Sequence, residues 1–208
     1  MAFGIIRLLG NLCILAGIYP ILHLSKPMKK LLVLVLTVCT CILLAALYGV
    51  INDHVTYTIS PEYYTRFKFE QFGLETVWFG GIRQTVTVVG IMATWWVGLF
   101  IGLVLGLTGL IFKDHHYMRR AIQKAIFYTF TSTIVFAIAG YLYGRFVLAG
   151  TGVDWWLPEG LLNEAAFITV GSVHNFAYMG GFFGLFAGVY FLIRLNRKQH
   201  LIKKAIDH

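Results

Sequence analysis

The chain has 208 residues, of which 58% are hydrophobic and 12% charged, with a mean hydropathy of +0.75 and a formal net charge of +8. A soluble domain carries about 25% charged residues, so a water-soluble globule is excluded, and so is low-complexity disorder, because this much apolar surface does not stay in water. Three cysteines staple too little chain for a disulfide scaffold, which leaves an all-α integral membrane protein forming one membrane domain over residues 1–208.

A helix crossing a hydrocarbon core of about 30 Å needs about 20 mostly apolar residues. The first apolar run, Leu8 to Leu24, is short and holds Asn11, Pro20 and His23. It reads as a short span, a re-entrant segment or a helix lying in the interface. A cleaved leader fits poorly, since no small-residue cleavage site follows and the next residues are the basic Lys26, Lys29 and Lys30. Leu31 to Ile51 is the first clear span.

The loop Asn52–Gln84 is the most unusual stretch. Val55 to Ile59 alternates as a short strand does. Ser60-Pro61-Glu62 then reads as a helix start, with Ser as N-cap, Pro in the first turn and an acid against the positive end of the helix dipole. Tyr63, Phe67 and Leu74, with Tyr64, Phe69 and Phe72 around them, predict an amphipathic outer-face helix lying on the membrane surface or under another loop. Within it, Arg66 and Glu70 have the spacing of an (i, i+4) ion pair.

Three further spans follow: Thr85 to Phe112, Ala125 to Leu148 and Ala165 to Ile193. Small residues four apart let spanning helices approach closely, and here they recur as Gly98, Gly102 and Gly106, as Gly140 and Gly144, and as Gly180, Gly184 and Gly188. They predict one compact bundle of four to five spans with these three helices in close contact. Cys13, Cys39 and Cys41 lie in apolar segments and read as small hydrophobes.

Most of the 17 basic residues fall in three segments: Ser25–Lys30, Lys113–Lys124 and the tail 194–208. By the positive-inside rule that side is cytoplasmic and the loops Asn52–Gln84 and Ala149–Glu164 are outside. Most of the nine acids lie in those outer segments. The positive charge therefore reads as topology and as contact with anionic lipids at the cytoplasmic face, not as nucleic-acid binding. The location expected is a bacterial inner membrane, multi-pass, with the C-terminus in the cytoplasm.

His174 sits two to three turns into the last span. An ionisable group at that depth is costly and marks a functional site by default. Tyr178 shares its helix face with His174, and Asn175 is its neighbour. The topology gathers His54, Glu62, Arg83, Thr85, Thr87, Arg145, Glu164 and His174 near the outer face. Two imidazoles (His54, His174) and two carboxylates (Glu62, Glu164) suit a divalent metal such as zinc or iron, or a proton relay. Arg145 alternatively pairs with Glu164 or Glu62. On the other side, the adjacent His115 and His116 point about 100° apart on a helix, so they read as a solvated basic turn.

The strings Thr58 to Phe69 (TISPEYYTRFKF), Ala93-Thr94-Trp95-Trp96, and His174-Asn175 followed by Tyr178-Met179-Gly180-Gly181 resemble a family of small bacterial multi-spanning membrane proteins, over about residues 31 to 194. The resemblance implies no activity, cofactor or site residue. Three readings stay open: a ligand-binding, metal or enzymatic site on the outer face; an accessory subunit that binds a membrane-protein partner or a second copy of itself; and a small transporter. The transporter ranks last because polar residues within the spans are sparse and no internal repeat is evident. No nucleotide loop, Ser-His-Asp order or haem attachment motif occurs.

Overall fold

The structure is a computed structural model, and it describes residues 25–206. The segment Leu8–Leu24 and Cys13 lie outside those residues. The described chain is built from four long helices: α1 (Lys26–Ile59), α4 (Ile82–Gly109), α5 (His115–Tyr143) and α7 (Glu164–Ile206). Short pieces connect them at one end: α2 (Pro61–Tyr63), α3 (Phe69–Phe72) and α6 (Ala149–Thr151). Among the described residues, four helical stretches are long and apolar enough to cross a membrane: Lys26–Ile59, Ile82–Gly109, His115–Thr151 and Glu164–Ile202. The connections 60–81 and 152–163 lie at one end, here the acidic end, and the turn 110–114 lies at the other, the basic end.

Val55 to Ile59 is not a strand but the last turns of α1. The reason is visible in the burial period: Gly49, Asp53, Thr56 and Ser60 are buried while Val55 is exposed, a spacing of three to four residues and not two. Thr56 also donates its hydroxyl proton to the Asn52 carbonyl at 2.8 Å, satisfying its side chain inside the helix. At about 1.5 Å per residue, the 34 residues of α1 reach about 50 Å, well beyond a hydrocarbon core of about 30 Å.

The helices pack as two antiparallel pairs, α1 with α4 and α5 with α7. Glycines set both contacts. A Cβ on Gly102 would lie 2.7 Å from Val38 Cα, and one on Gly184 would lie 2.6 Å from Thr129 Cα. Gly98 and Gly106 rest on Cys41 and Leu34 in the first pair; Gly140, Gly144 and Gly180 rest on Ser172, Thr169 and Ser132 in the second. Gly188 faces Ala125 and also Leu105 of α4. The glycine-bearing helices thus do not gather into one three-helix contact; their small faces are mainly used in making two hairpins.

Between the hairpins the packing is tiered. At the basic end a core of Val33, Leu105, Phe112, Met118, Ile122, Leu185 and Leu192 joins all four helices. Lys30 there donates to the Leu110 carbonyl at 2.6 Å, where α4 ends, and Asp114 caps α5 by accepting from the Tyr117 amide at 2.8 Å. At the acidic end an aromatic core of Tyr63, Tyr64, Phe69 and Phe167 closes over Val86, Val89 and Val170. The aromatic segment, expected on the membrane surface or under another loop, lies across the bundle end with Leu157 and Leu161 of the 152–163 connection packed against it. Ser60 caps it as expected, accepting from the Tyr63 amide at 3.3 Å. It then widens into a π-helical turn over Tyr64–Lys68 before α3 ends at Gly73, whose φ of 63° needs a glycine.

The glycine contacts make a direct prediction. Gly184→Leu drives a side chain into the backbone of α5 and lowers stability by about 1–3 kcal/mol or more. Gly150→Ala, with nothing within 4 Å of its added Cβ, leaves stability unchanged. Thermal unfolding in detergent, compared between the two variants, checks both outcomes.

Candidate functional site

Beneath the aromatic cap, α1 and α7 bring an acid and an imidazole together. Asp53 and His174 are 2% and 9% exposed, and His174 Nε2 lies 3.9 Å from Asp53 Oδ1. Asp53 falls one helical turn past Gly49, on the face of α1 that meets the bundle, which is why a charged residue at the end of an apolar run points inward.

A short hydrogen-bonded chain orients the imidazole. Thr56 spends its single proton on the Asn52 carbonyl, so Tyr64 donates to Thr56 Oγ1 at 2.6 Å. The Tyr64 oxygen is then left to accept from the His174 Nε2–H at 3.5 Å. This places a proton on Nε2. Tyr63 stacks flat on the imidazole, with centroids 5.1 Å apart and planes 4° from parallel.

The carboxylate is less well served. Asn52 Nδ2 donates to Asp53 Oδ1 at 3.4 Å, but Asp53 Oδ2 is buried with no hydrogen-bond partner, as is Ser172 Oγ. A buried acceptor left unmade costs about 1–3 kcal/mol, and more when charged. Lys68 supplies the nearest compensating field. Its side chain is buried, donates to Gln71 Oε1 at 2.9 Å and lies over the Tyr63, Phe67 and Phe72 rings at 5.8, 5.1 and 5.7 Å. It is outside ion-pair distance of Asp53. Burial pushes the Lys68 ammonium below the ordinary lysine value, and the Asp53 charge opposes that shift. Burial, and secondarily Asp53, raises the Tyr63 and Tyr64 hydroxyls, which stay neutral.

Asp53 and His174 head a cleft of ≈ 100 Å³ that runs between the two hairpins. Its walls are mainly apolar, with Leu44, Ala45, Val97, Ile101, Ile126 and Phe130 along the length and Tyr48, Asn52 and Tyr178 beside the head. Thr129 and Thr133 return their hydroxyl protons to backbone carbonyls of their own helix, at 3.0 and 2.9 Å, so they present little polarity to the space.

The sequence-derived candidates separate. His174 is in the site, and Tyr178 lines the cleft while donating to the Ala93 carbonyl at 3.3 Å. His54 instead bonds Thr87 at 2.9 Å across α1 and α4, and Arg83 stacks on Tyr57 with its guanidinium 4.5 Å from the ring centre. Asn175 is exposed on the outside of α7, Glu164 is exposed at its first turn, and Arg145 is exposed in a second π-helical turn, Gly144–Leu148. Arg145 makes no ion pair with Glu164 or Glu62. Arg66 pairs with Glu62 at 3.4 Å, not with Glu70. Among the described residues no three His, Cys, Asp or Glu side chains form a metal-binding group, so the zinc or iron expectation has no ligand set to rest on.

Glu62 has a different task from the one its sequence position suggested. Its carboxylate accepts from the Leu162 amide at 3.0 and 3.1 Å and from the Asn163 amide at 2.9 Å. Asn163 in turn caps α7 through the Ala166 amide at 3.0 Å. Glu62 thus ties the aromatic cap to the second hairpin, and Arg66 adds a bond to the Glu159 carbonyl at 3.2 Å.

Asp53, Thr56, Tyr64 and Lys68 are the site residues that sequence reasoning missed. Asp53 was legible only by continuing the α1 register past Ile51. Lys68 carried no signal, because its burial depends on the widened turn Tyr64–Lys68. No family model matches the chain, and no curated protein or solved structure does either.

The Leu162 amide first, then the Asn163 amide and Arg66, hold the Glu62 carboxyl below its ordinary value of 4.5. A carboxyl lowered on folding stabilises above its unfolded value and releases as pH falls through its folded value. The Leu162 and Asn163 amides are therefore protected at neutral pH and lose protection only in acid below the ordinary glutamate range. Glu62→Ala, which leaves the two amides no acceptor, removes that protection at neutral pH, which amide hydrogen exchange reads directly.

Proposed function

We propose that the chain is a multi-spanning inner-membrane protein that takes a small molecule into the cleft between its two helical hairpins, with Asp53 and His174 as the polar contacts. The observation that carries this reading is the buried Asp53–His174 pair at the head of an open space, with one carboxylate oxygen, Asp53 Oδ2, left without a hydrogen-bond partner. An ionisable pair at bundle depth is expensive and faces a cavity when it serves one. Packing alone gives no reason to keep it, since an apolar residue of similar size would be at least as stable there.

The placement of charge supports the orientation. Lys26, Lys29 and Lys30, the turn at Lys113 and the basic end of α7 share one end of the bundle, which the positive-inside rule assigns to the cytoplasm. The cleft head and the aromatic cap then face the periplasmic side of a bacterial membrane. In this frame the exposed Phe182, Phe183, Phe186 and Tyr190 of α7 are lipid-facing and need no protein partner.

Two measurements test the reading. Reporters placed in the 152–163 connection and after His208 are expected on opposite sides of the membrane; the same side for both removes the topology. Asp53→Asn is expected to hold or raise the thermal midpoint of the purified empty protein, because a group kept for binding is not kept for stability. A marked fall instead makes Asp53 a structural residue and ends the binding reading.

A further inference from the structure

The hydrogen-bond directions at the cleft head define the chemistry of an occupant, given the proposed role of the cleft as a binding site. Most of the donors there are already turned toward the protein, the second N–H of Asn52 excepted. Tyr48 donates to Asn52 Oδ1 at 3.5 Å, Asn52 Nδ2 donates to Asp53 Oδ1 at 3.4 Å, and Tyr178 donates to the Ala93 carbonyl at 3.3 Å. His174 Nε2–H faces Tyr64 and Asp53. What remains is mainly lone pairs: those of the Tyr48 and Tyr178 oxygens and, above all, the unpartnered Asp53 Oδ2.

A head group that meets mostly acceptors is itself a donor. Several donors on one atom, with a positive charge to match a buried carboxylate, describe an ammonium. The phenol rings of Tyr48 and Tyr178 and the ring of Phe130 border the same space, and aromatic faces attract a cation that has left water. Lys68 does not fill this place, being held by Gln71 and three rings outside ion-pair reach. Its positive charge acts on the carboxylate from a distance without supplying the missing hydrogen bond.

The rest of the cleft sets size and body. One water-sized group needs about 10–15 Å³ of such space, so ≈ 100 Å³ accommodates on the order of seven to ten non-hydrogen atoms. Leu44, Val97, Ile101 and Ile126 line it with hydrocarbon. We infer that the cleft binds a small lipophilic primary amine, its ammonium on the Asp53 carboxylate and its apolar body between the hairpins.

The test uses the full chain in nanodiscs of zwitterionic phosphatidylcholine, titrated calorimetrically with 2-phenylethylamine and 2-phenylethanol against empty discs. The two probes share a skeleton and differ in the head group. The amine is expected to bind saturably and about tenfold or more tighter than the alcohol, as an added charge-assisted hydrogen bond requires. Asp53→Asn is expected to erase that preference, and Val97→Phe, which fills the cleft away from its head, to weaken both probes. Equal binding of the two probes that Val97→Phe abolishes overturns the amine assignment while leaving the cleft as a binding site. A preference for the amine that survives Asp53→Asn overturns it as well. No binding of either probe above empty discs overturns the amine and the cleft reading together. Elution of each variant at the wild-type volume in gel filtration is required before titration, and Asp53→Glu, which keeps the charge, is expected to retain part of the preference.

Discussion

Backbone-to-backbone approach along the glycine faces is the constraint on which the rest of the molecule depends. In hydrocarbon there is no hydrophobic gain in burying one leucine against another, so close contact must come from small residues. This chain uses most of its small faces within each hairpin. Across the hairpins the contacts are made by larger side chains, and they close where the basic-end core and the aromatic core at the acidic end fill the gap. The space left higher up, between Gly98 on one side and Gly181 on the other, is the cleft.

That space turns the polar end of the bundle into a problem of satisfaction. Asp53, His174, Thr56 and Tyr64 solve most of it among themselves, and the aromatic cap seals the group from above. The cap is held at three kinds of point: covalently to α1 through Ser60, by Glu62 and Arg66 to the connection before α7, and by the rings of Tyr63 and Tyr64 on His174. The widened turn at Tyr64–Lys68 lets the cap present Tyr64 and Lys68 inward from almost one place. Such turns gather at functional sites for this reason, since one extra residue per turn re-aims the side chains beyond it.

The long apolar runs were readable because they obey one local rule, about 20 residues without charge, and Ser60-Pro61-Glu62 was readable because capping is local too. The strand expected at Val55–Ile59 failed where local propensity met a helix already running through Ile51, whose buried face continued at Asp53 and Thr56. His174 could be singled out by its depth alone. Its partners could not, because Asp53 and Lys68 become neighbours of the imidazole only through the pairing of hairpins and the shape of the cap. His54, Glu164 and Arg145 share the right end of the bundle but belong to other faces, a distinction that topology does not carry.

The two zipped pairs are also consecutive in the chain, which orders events during synthesis. α1 and α4 emerge together and can close on Gly90, Gly98 and Gly102 before α5 is made, because every contact they need is nearby in sequence. Asp53 and Lys68 both belong to this first pair and its connection, whereas the imidazole beside Asp53 belongs to the last helix. The lysine of the cap thus follows the carboxylate it faces by fifteen residues in the chain, and the imidazole comes only with the last helix.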